Sequence, residues 1–160
     1  SYGGAVITEA GDLPNVTGLV YVAAFAPDAG ESLATISAAH PAVAGDTIAP
    51  DSDGHLWIAQ DLFHESFCQD LPEDEALVMA VTQKAPLGAA YVAEASEPAW
   101  RTKPSWYQVS TEDRMIDPDN QRRMAARTNP RKTIELVSSH ASLASHPTEI
   151  VDLIEEASRA

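Results

Sequence analysis

Three side chains far apart in the sequence have the types and neighbours that acyl-transfer chemistry needs: Ser1, Asp113 and His140. Ser1-Tyr2-Gly3-Gly4 runs into the small apolar stretch Ala5-Val6-Ile7-Thr8-Glu9-Ala10 and is closed by Gly11. A serine, one bulky residue, two glycines and a helix match the second half of the turn written G-x-S-x-G, where a strand ends sharply and a helix starts at once. On that reading the serine hydroxyl stands exposed at the turn. Gly3 is small because a side chain there would strike the neighbouring strand. The Tyr2 N–H faces a developing oxyanion, with the positive end of the helix behind it. The same four residues also read as a plain helix N-cap, and what separates the two readings lies downstream.

His140 stands between the alternating stretch Lys132–Ser138 and a helix opened by Pro147, a position that packing explains poorly. Asp113 stands just past the stretch Pro104–Thr111. Serine, acid and histidine in that order, with the acid and the histidine each just past a strand, is one of the chain orders in which a nucleophile–acid–base triad occurs. His140 would take the proton from Ser1 Oγ as general base, and Asp113 would fix the imidazole tautomer and stabilise its charged form. Asp117 is the alternative acid. It precedes Pro118, however, and aspartate before proline is a helix N-cap signal, so position favours Asp113.

The elements that must hold these groups follow from periodicity. Tyr2–Ala10 is a helix. Val16–Ala26 (VTGLVYVAAFA) is a nearly unbroken apolar run between Pro14 and Pro27, expected as a strand buried on both faces. From Asp28 to Glu97 the chain turns acidic and proline-punctuated. Short helices are expected at Glu31–Ala39, Asp61–Cys68, from Pro72 onward with Leu77, Val78 and Val81 as an apolar stripe, and at Pro86–Ala95. Pro41–Gly54 reads as a loop, and His55–Ile58 as a short extended piece. Trp57, Phe63, Phe67, Leu77 and Tyr91 are its expected core. The block 28–98 therefore reads as a helical lid set into a core made of 1–27 and 99–160. Pro104–Thr111 is the next strand and Asp117 caps a helix to about Arg127. Lys132–Ser138 is an edge strand with Ile134 and Leu136 on its dry face. Pro147 opens the last helix, with Glu149 placed for a capping box and Ile150, Leu153, Ile154 and Ala157 on one side. Strands alternating with helices make an α/β class with a mostly parallel sheet.

Composition narrows the partners. The 160 residues carry a formal net charge of −14, which opposes phosphate backbones and anionic lipid, so neither nucleic acid nor a membrane is expected. The apolar run around Leu19–Ala26 is far short of the ~20 residues a membrane helix needs. Cys68 is the one cysteine, so no intrachain disulfide can form; it reads as a buried small hydrophobe. His40, His55, His64 and His146 are scattered in a way that fits no metal site, and no cofactor is called for. Apart from the sequon Asn15-Val16-Thr17 nothing argues for secretion, and a cytoplasmic location is expected.

Taken together, Ser1-Tyr2-Gly3-Gly4, Val20-Tyr21-Val22-Ala23-Ala24-Phe25 with Pro27, Pro104-Ser105-Trp106-Tyr107, Thr111-x-Asp113 with Pro118 and Gln121, and Ser139-His140 with Ser145-x-Pro147 resemble the C-terminal part of a small α/β-hydrolase. The resemblance is closest to the branch of bacterial esterases similar to plant methylesterases and hydroxynitrile lyases. It implies a cofactor-free esterase that cleaves a small carboxylic ester through an acyl-enzyme. Ser1, Asp113 and His140 would be its triad and the Tyr2 N–H an oxyanion donor. Ala141 stands where the lyase branch has lysine, which favours hydrolysis over cyanohydrin cleavage. The family's first strands and second oxyanion donor are not in this sequence, so an N-terminal portion, on another chain or an omitted segment, is the expected partner. A homodimer is left open. Two other readings stand beside this one: an N-terminal-nucleophile amidohydrolase using Ser1, and a non-catalytic small-molecule receptor of the same fold.

Overall fold

The computed structural model describes residues 1–160. Helix α1 (Tyr2–Ala10) is followed by strand β1 (Leu19–Val22), and then by an insert holding α2 (Leu33–Ala39), β2 (Ile48–Pro50), β3 (Leu56–Ile58), α3 (Phe63–Phe67), α4 (Glu73–Thr82) and α5 (Gly88–Val92). After the insert come β4 (Ser105–Ser110), α6 (Pro118–Thr128), β5 (Lys132–Leu136), α7 (Ser142–Ser145) and α8 (Pro147–Ser158). The main sheet has the order β1-β4-β5 and both pairings are parallel, while β2 and β3 form a separate antiparallel pair. A parallel sheet is not the antiparallel sandwich that the amidohydrolase reading requires. No helix is long and apolar enough to cross a membrane.

Strand β4 is the axis of the structure. All six of its residues are buried, because it has a strand on each side and is covered on both faces. Beneath it, Tyr107 stacks on Tyr21 of β1 with ring centroids 5.7 Å apart. The Tyr107 hydroxyl donates to the Ala24 carbonyl, and the Tyr21 hydroxyl hydrogen-bonds Thr8 Oγ1 of α1 at 2.9 Å. Burial pushes the Tyr21 hydroxyl up to about 12, against the hydrogen bond from Thr8. Tyrosine is used here as a large apolar body whose polar tip is satisfied.

Strand β1 is shorter than the apolar run that announces it. Ala23 takes φ +42°, a left-handed conformation that ends the strand, and Ala23–Ala26 continue as buried irregular chain. Within β1 only Leu19 and Tyr21 are buried while Val20 and Val22 are half-buried, so the strand is covered on one face rather than both. The edge strand β5 keeps the expected alternation: Ile134 and Leu136 are half-buried, and Thr133 and Glu135 are exposed.

Helix α6 starts as its sequence dictates. Asp117 accepts the Asp119 N–H at 2.9 Å, Pro118 occupies the first turn, and Asn129 closes the helix in the left-handed conformation at φ +44°. At α8 the expected capping box does not form. Glu149 instead lies 3.7 Å from His146 Nδ1, and Ile150 and Leu153 are buried while Ile154 faces solvent.

The insert departs furthest from expectation. The stretch read as a loop over Pro41–Gly54 contains β2, which pairs with β3 around a turn completed by Gly54 at φ +82°. On α4, Ala76 and Ala80 are the buried residues, one turn apart, while Leu77, Val78 and Val81 face water. Small side chains let α4 lie close to Phe63, Cys68 and Ala141, and the larger ones are turned outward. Trp57, also expected inside, is exposed with its indole N–H on Asp51 at 2.8 Å, whereas Phe63 is buried and Phe67 and Tyr91 are half-buried. Cys68 is fully buried, and burial, the larger cause, together with nearby Asp70 pushes its thiol up to about 11.

Candidate active site

Parallel α/β sheets place ligands beyond the carboxyl ends of their strands, where the loops converge. Here the β4 and β5 loops are laced together past the ladder. Thr111 N–H donates to Leu136 O at 2.9 Å and Glu112 N–H to Ser138 O at 3.1 Å. That lacing brings the residues 27 apart in sequence into contact: His140 Nδ1 lies 2.7 Å from Asp113 Oδ2, with both side chains buried.

Asp113 is fixed at every lone pair that matters. Its Oδ1 accepts the N–H groups of Met115 at 2.7 Å and Ile116 at 3.0 Å. Its Oδ2 accepts Gln121 Nε2 at 2.7 Å as well as the imidazole. Gln121, fully buried on α6, also donates to Ile116 O at 2.9 Å and accepts Ser110 N–H at 3.0 Å. A buried carboxylate this well supplied with donors remains the acceptor for an Nδ1–H, which leaves His140 Nε2 as the nitrogen with its lone pair free. Asp117, the other carboxylate considered, is occupied in capping α6.

Ser1 lies on the same side of the sheet. Its carbonyl accepts Phe25 N–H at 3.2 Å and Gly4 N–H at 3.0 Å, so the start of α1 is stitched to the chain leaving β1. Ser1 is exposed, with its backbone nitrogen within electrostatic reach of the Asp113 carboxylate. Ser1 is the N-cap residue of α1, and its hydroxyl makes no cap hydrogen bond to the helix. The Asp113–His140 pair is thus in contact, whereas Ser1 shares their rim without a hydrogen bond to either. Tyr2 is the first residue of α1, where the N–H has no partner within the helix.

The close-approach glycine is Gly4 rather than Gly3. A Cβ on Gly4 would sit 2.1 Å from Phe25 O and 2.8 Å from Ala24 Cβ, while one on Gly3 would meet nothing within 4 Å. The second glycine of the pair therefore lets α1 approach the β1 exit. Sequence reasoning also missed a polar network behind the histidine. Gln108 Nε2 donates to Ser110 Oγ at 3.1 Å, Ser138 Oγ hydrogen-bonds Ser110 Oγ at 2.9 Å, and Ser142 Oγ donates to Gln108 Oε1 at 2.9 Å. All four residues are fully buried. The available signal was Gln108 itself, a glutamine in the middle of an apolar central strand, where a buried amide needs partners.

Residues 1–153 match the sequence profile of the alpha/beta hydrolase family. The chain belongs to that family. Among curated proteins no sequence matches it. Solved structures do. A pyrethroid hydrolase superposes with a TM-score of 0.79 at 22% identity, over 100% of this chain and 68% of that one. A methylesterase from Arabidopsis gives 0.76 at 18%, over 100% and 67%, and an extracellular alpha/beta-hydrolase from a Paenibacillus species gives 0.76 at 18%, over 98% and 69%. At these identities the likeness establishes the α/β-hydrolase fold.

One grouping was not expected from the scattered histidines. Ligand atoms of His40, Asp117 and Asp119 lie within 4.8 Å of one another. Asp117 is engaged by the α6 cap and Asp119 by Arg122 at 2.9 Å, and His40 and Asp119 are exposed. The group lies at a helix N-terminus, whose partial positive charge disfavours a cation.

Proposed function

We propose that this α/β-hydrolase is a serine esterase that cleaves a small carboxylic ester through an acyl-enzyme, with Ser1 as nucleophile, His140 as base and Asp113 as acid. The observation that carries the reading is the buried 2.7 Å contact between His140 Nδ1 and Asp113 Oδ2, on the rim where α1 starts. Ser1 Oγ attacks the ester carbonyl as His140 Nε2 takes its proton. The oxyanion is met by the Tyr2 N–H and the positive end of α1. When the tetrahedral intermediate collapses, the alcohol leaves with the proton from Nε2. Water then attacks the acyl-enzyme, His140 takes its proton, and the acid is released with Ser1 restored. Each step moves one proton between oxygen and Nε2, while Nδ1 stays on Asp113.

The insert 28–98 acts as the lid in this reading. Phe67 meets the His140 ring edge-on with centroids 4.8 Å apart, so an apolar wall stands beside the base and suits a small apolar acyl group. Ala141 after the histidine supports ester hydrolysis over cyanohydrin cleavage. The names of the structural neighbours, a pyrethroid hydrolase and a methylesterase, point the same way. The second oxyanion donor and a further strand are assigned to a partner segment along β1. That strand is hydrogen-bonded only on its β4 side, and Ile7, Val16, Leu19 and Val20 line an apolar groove of about 240 Å³ beside it.

Ser1→Ala in the full chain, assayed on a short-chain aryl ester, should lose turnover by about 10³-fold or more. A fluorophosphonate should label the parent and not the variant. Turnover retained within a few-fold, or labelling elsewhere, would remove the assignment.

A further inference from the structure

One turn of the insert touches both loops that carry the acid and the base. Phe67, the last residue of α3, presses the His140 ring edge-on. Gln69 Nε2 donates to Glu112 O at 2.8 Å, one residue before Asp113. Asp70 Oδ2 accepts the Ser139 N–H at 2.8 Å, one residue before His140. The turn is itself braced: Leu71 N–H donates to Cys68 O at 3.0 Å, His64 Nε2 contacts Leu71 O at 2.8 Å, and fully buried Cys68 packs in one cluster with Ala141.

The histidine loop needs such support. β5 is an edge strand that ends at Leu136, four residues before His140, and Val137 is 70% exposed. Backbone bonding to the loop after β4 reaches only Ser138, through Glu112 N–H at 3.1 Å, two residues short of the base. Ser139 is fully buried, so its N–H requires an acceptor, and Asp70 is the one it has. Burial opposes the charge on Asp70, but its hydrogen bonds, those from Ser139 foremost, outweigh that and hold the carboxyl below its ordinary range. An ionised acceptor makes this a short, strong anchor.

We propose that the Phe67–Asp70 turn is a clamp in which Asp70 is a positioning residue: by holding Ser139 it sets His140 against Asp113, so the geometry of the acid–base pair depends on how the insert is seated. Its catalytic meaning rests on the esterase reading above. Its geometric content does not.

Asp70→Ala and Asp70→Asn, made in the full chain, separate the two. Asparagine keeps an oxygen for the Ser139 N–H and alanine does not. Asp70→Ala should lower kcat by about 10²-fold, the usual cost of a displaced catalytic group, with KM little changed. Asp70→Asn should recover most of that loss. In the proton NMR spectrum, the downfield His140 Nδ1–H resonance of the parent should broaden or vanish in Asp70→Ala and persist in Asp70→Asn. An Asp70→Ala protein with kcat within about two-fold of the parent and the resonance unmoved would overturn the clamp and leave the esterase reading standing. If the parent neither turns over esters nor labels at Ser1, the esterase reading fails. The resonance then still decides: its loss in Asp70→Ala supports the clamp, and its persistence rejects it.

Discussion

Along β4 and around its carboxyl end, the polar side chains Asp113, Gln108, Gln121, Ser110 and His140 are all buried and all hydrogen-bonded. Across α4 in the insert the pattern is reversed. Leu77, Val78 and Val81 are each about 60% exposed, and the buried positions are alanines. The first region spends polar groups inside the protein, which is tolerable only when each finds a partner. The second leaves apolar groups outside, which costs little stability. Rigidity follows from that difference. The β4–β5 rim is over-determined by directional contacts, whereas α4 is held by close packing of its small residues against Phe63 and Cys68.

That contrast can be broken most sharply at the rim. Asp113→Asn should reduce kcat on an aryl ester by about 10⁴-fold, because a carboxamide cannot hold the Nδ1–H tautomer while filling the same space. A loss below ten-fold would mean the pair is structural. Next comes the glycine pair at the start of α1. Gly4→Ala forces a Cβ toward Phe25 O and should lower stability in chemical denaturation by about 2 kcal/mol or more. Gly3→Ala has open space and should be neutral or gain up to about 1 kcal/mol from helix propensity. Equal effects would show that α1 does not lie against the β1 exit. The smallest effects belong to α4. Ala80→Leu should destabilise by about 1–3 kcal/mol through overpacking, while Leu77→Ser should stay within about 0.5 kcal/mol. The opposite order would restore the apolar stripe read from the sequence as the buried face.

The reasons for success and failure differ along the chain. A strand of the main sheet was legible within Val16–Ala26 because a valine-rich apolar run between prolines favours one, but its open second face and its end at Ala23 were not, since nothing in the residue types signals a left-handed alanine. The α6 cap was legible because Asp-Pro fixes local geometry by short-range forces. The α4 stripe misled because periodicity marks which residues share a face, not which face meets the core. There, Ala76 and Ala80 won by permitting a closer approach than leucine and valine allow.

By itself the sequence determined the strand–helix alternation, the capping of α6 and the net negative charge, all of which depend on neighbours within a few residues or on composition. Only the tertiary structure decided that Asp113 and His140 touch, that Gly4 rather than Gly3 bears the steric burden, and that Gln121, Gln108 and Asp70 stand behind the candidate site. Those are contacts between residues brought together by the pairing of β4 with its neighbours and by the return of the insert, and a hydrogen bond's 3 Å reach cannot be inferred from separation along a chain.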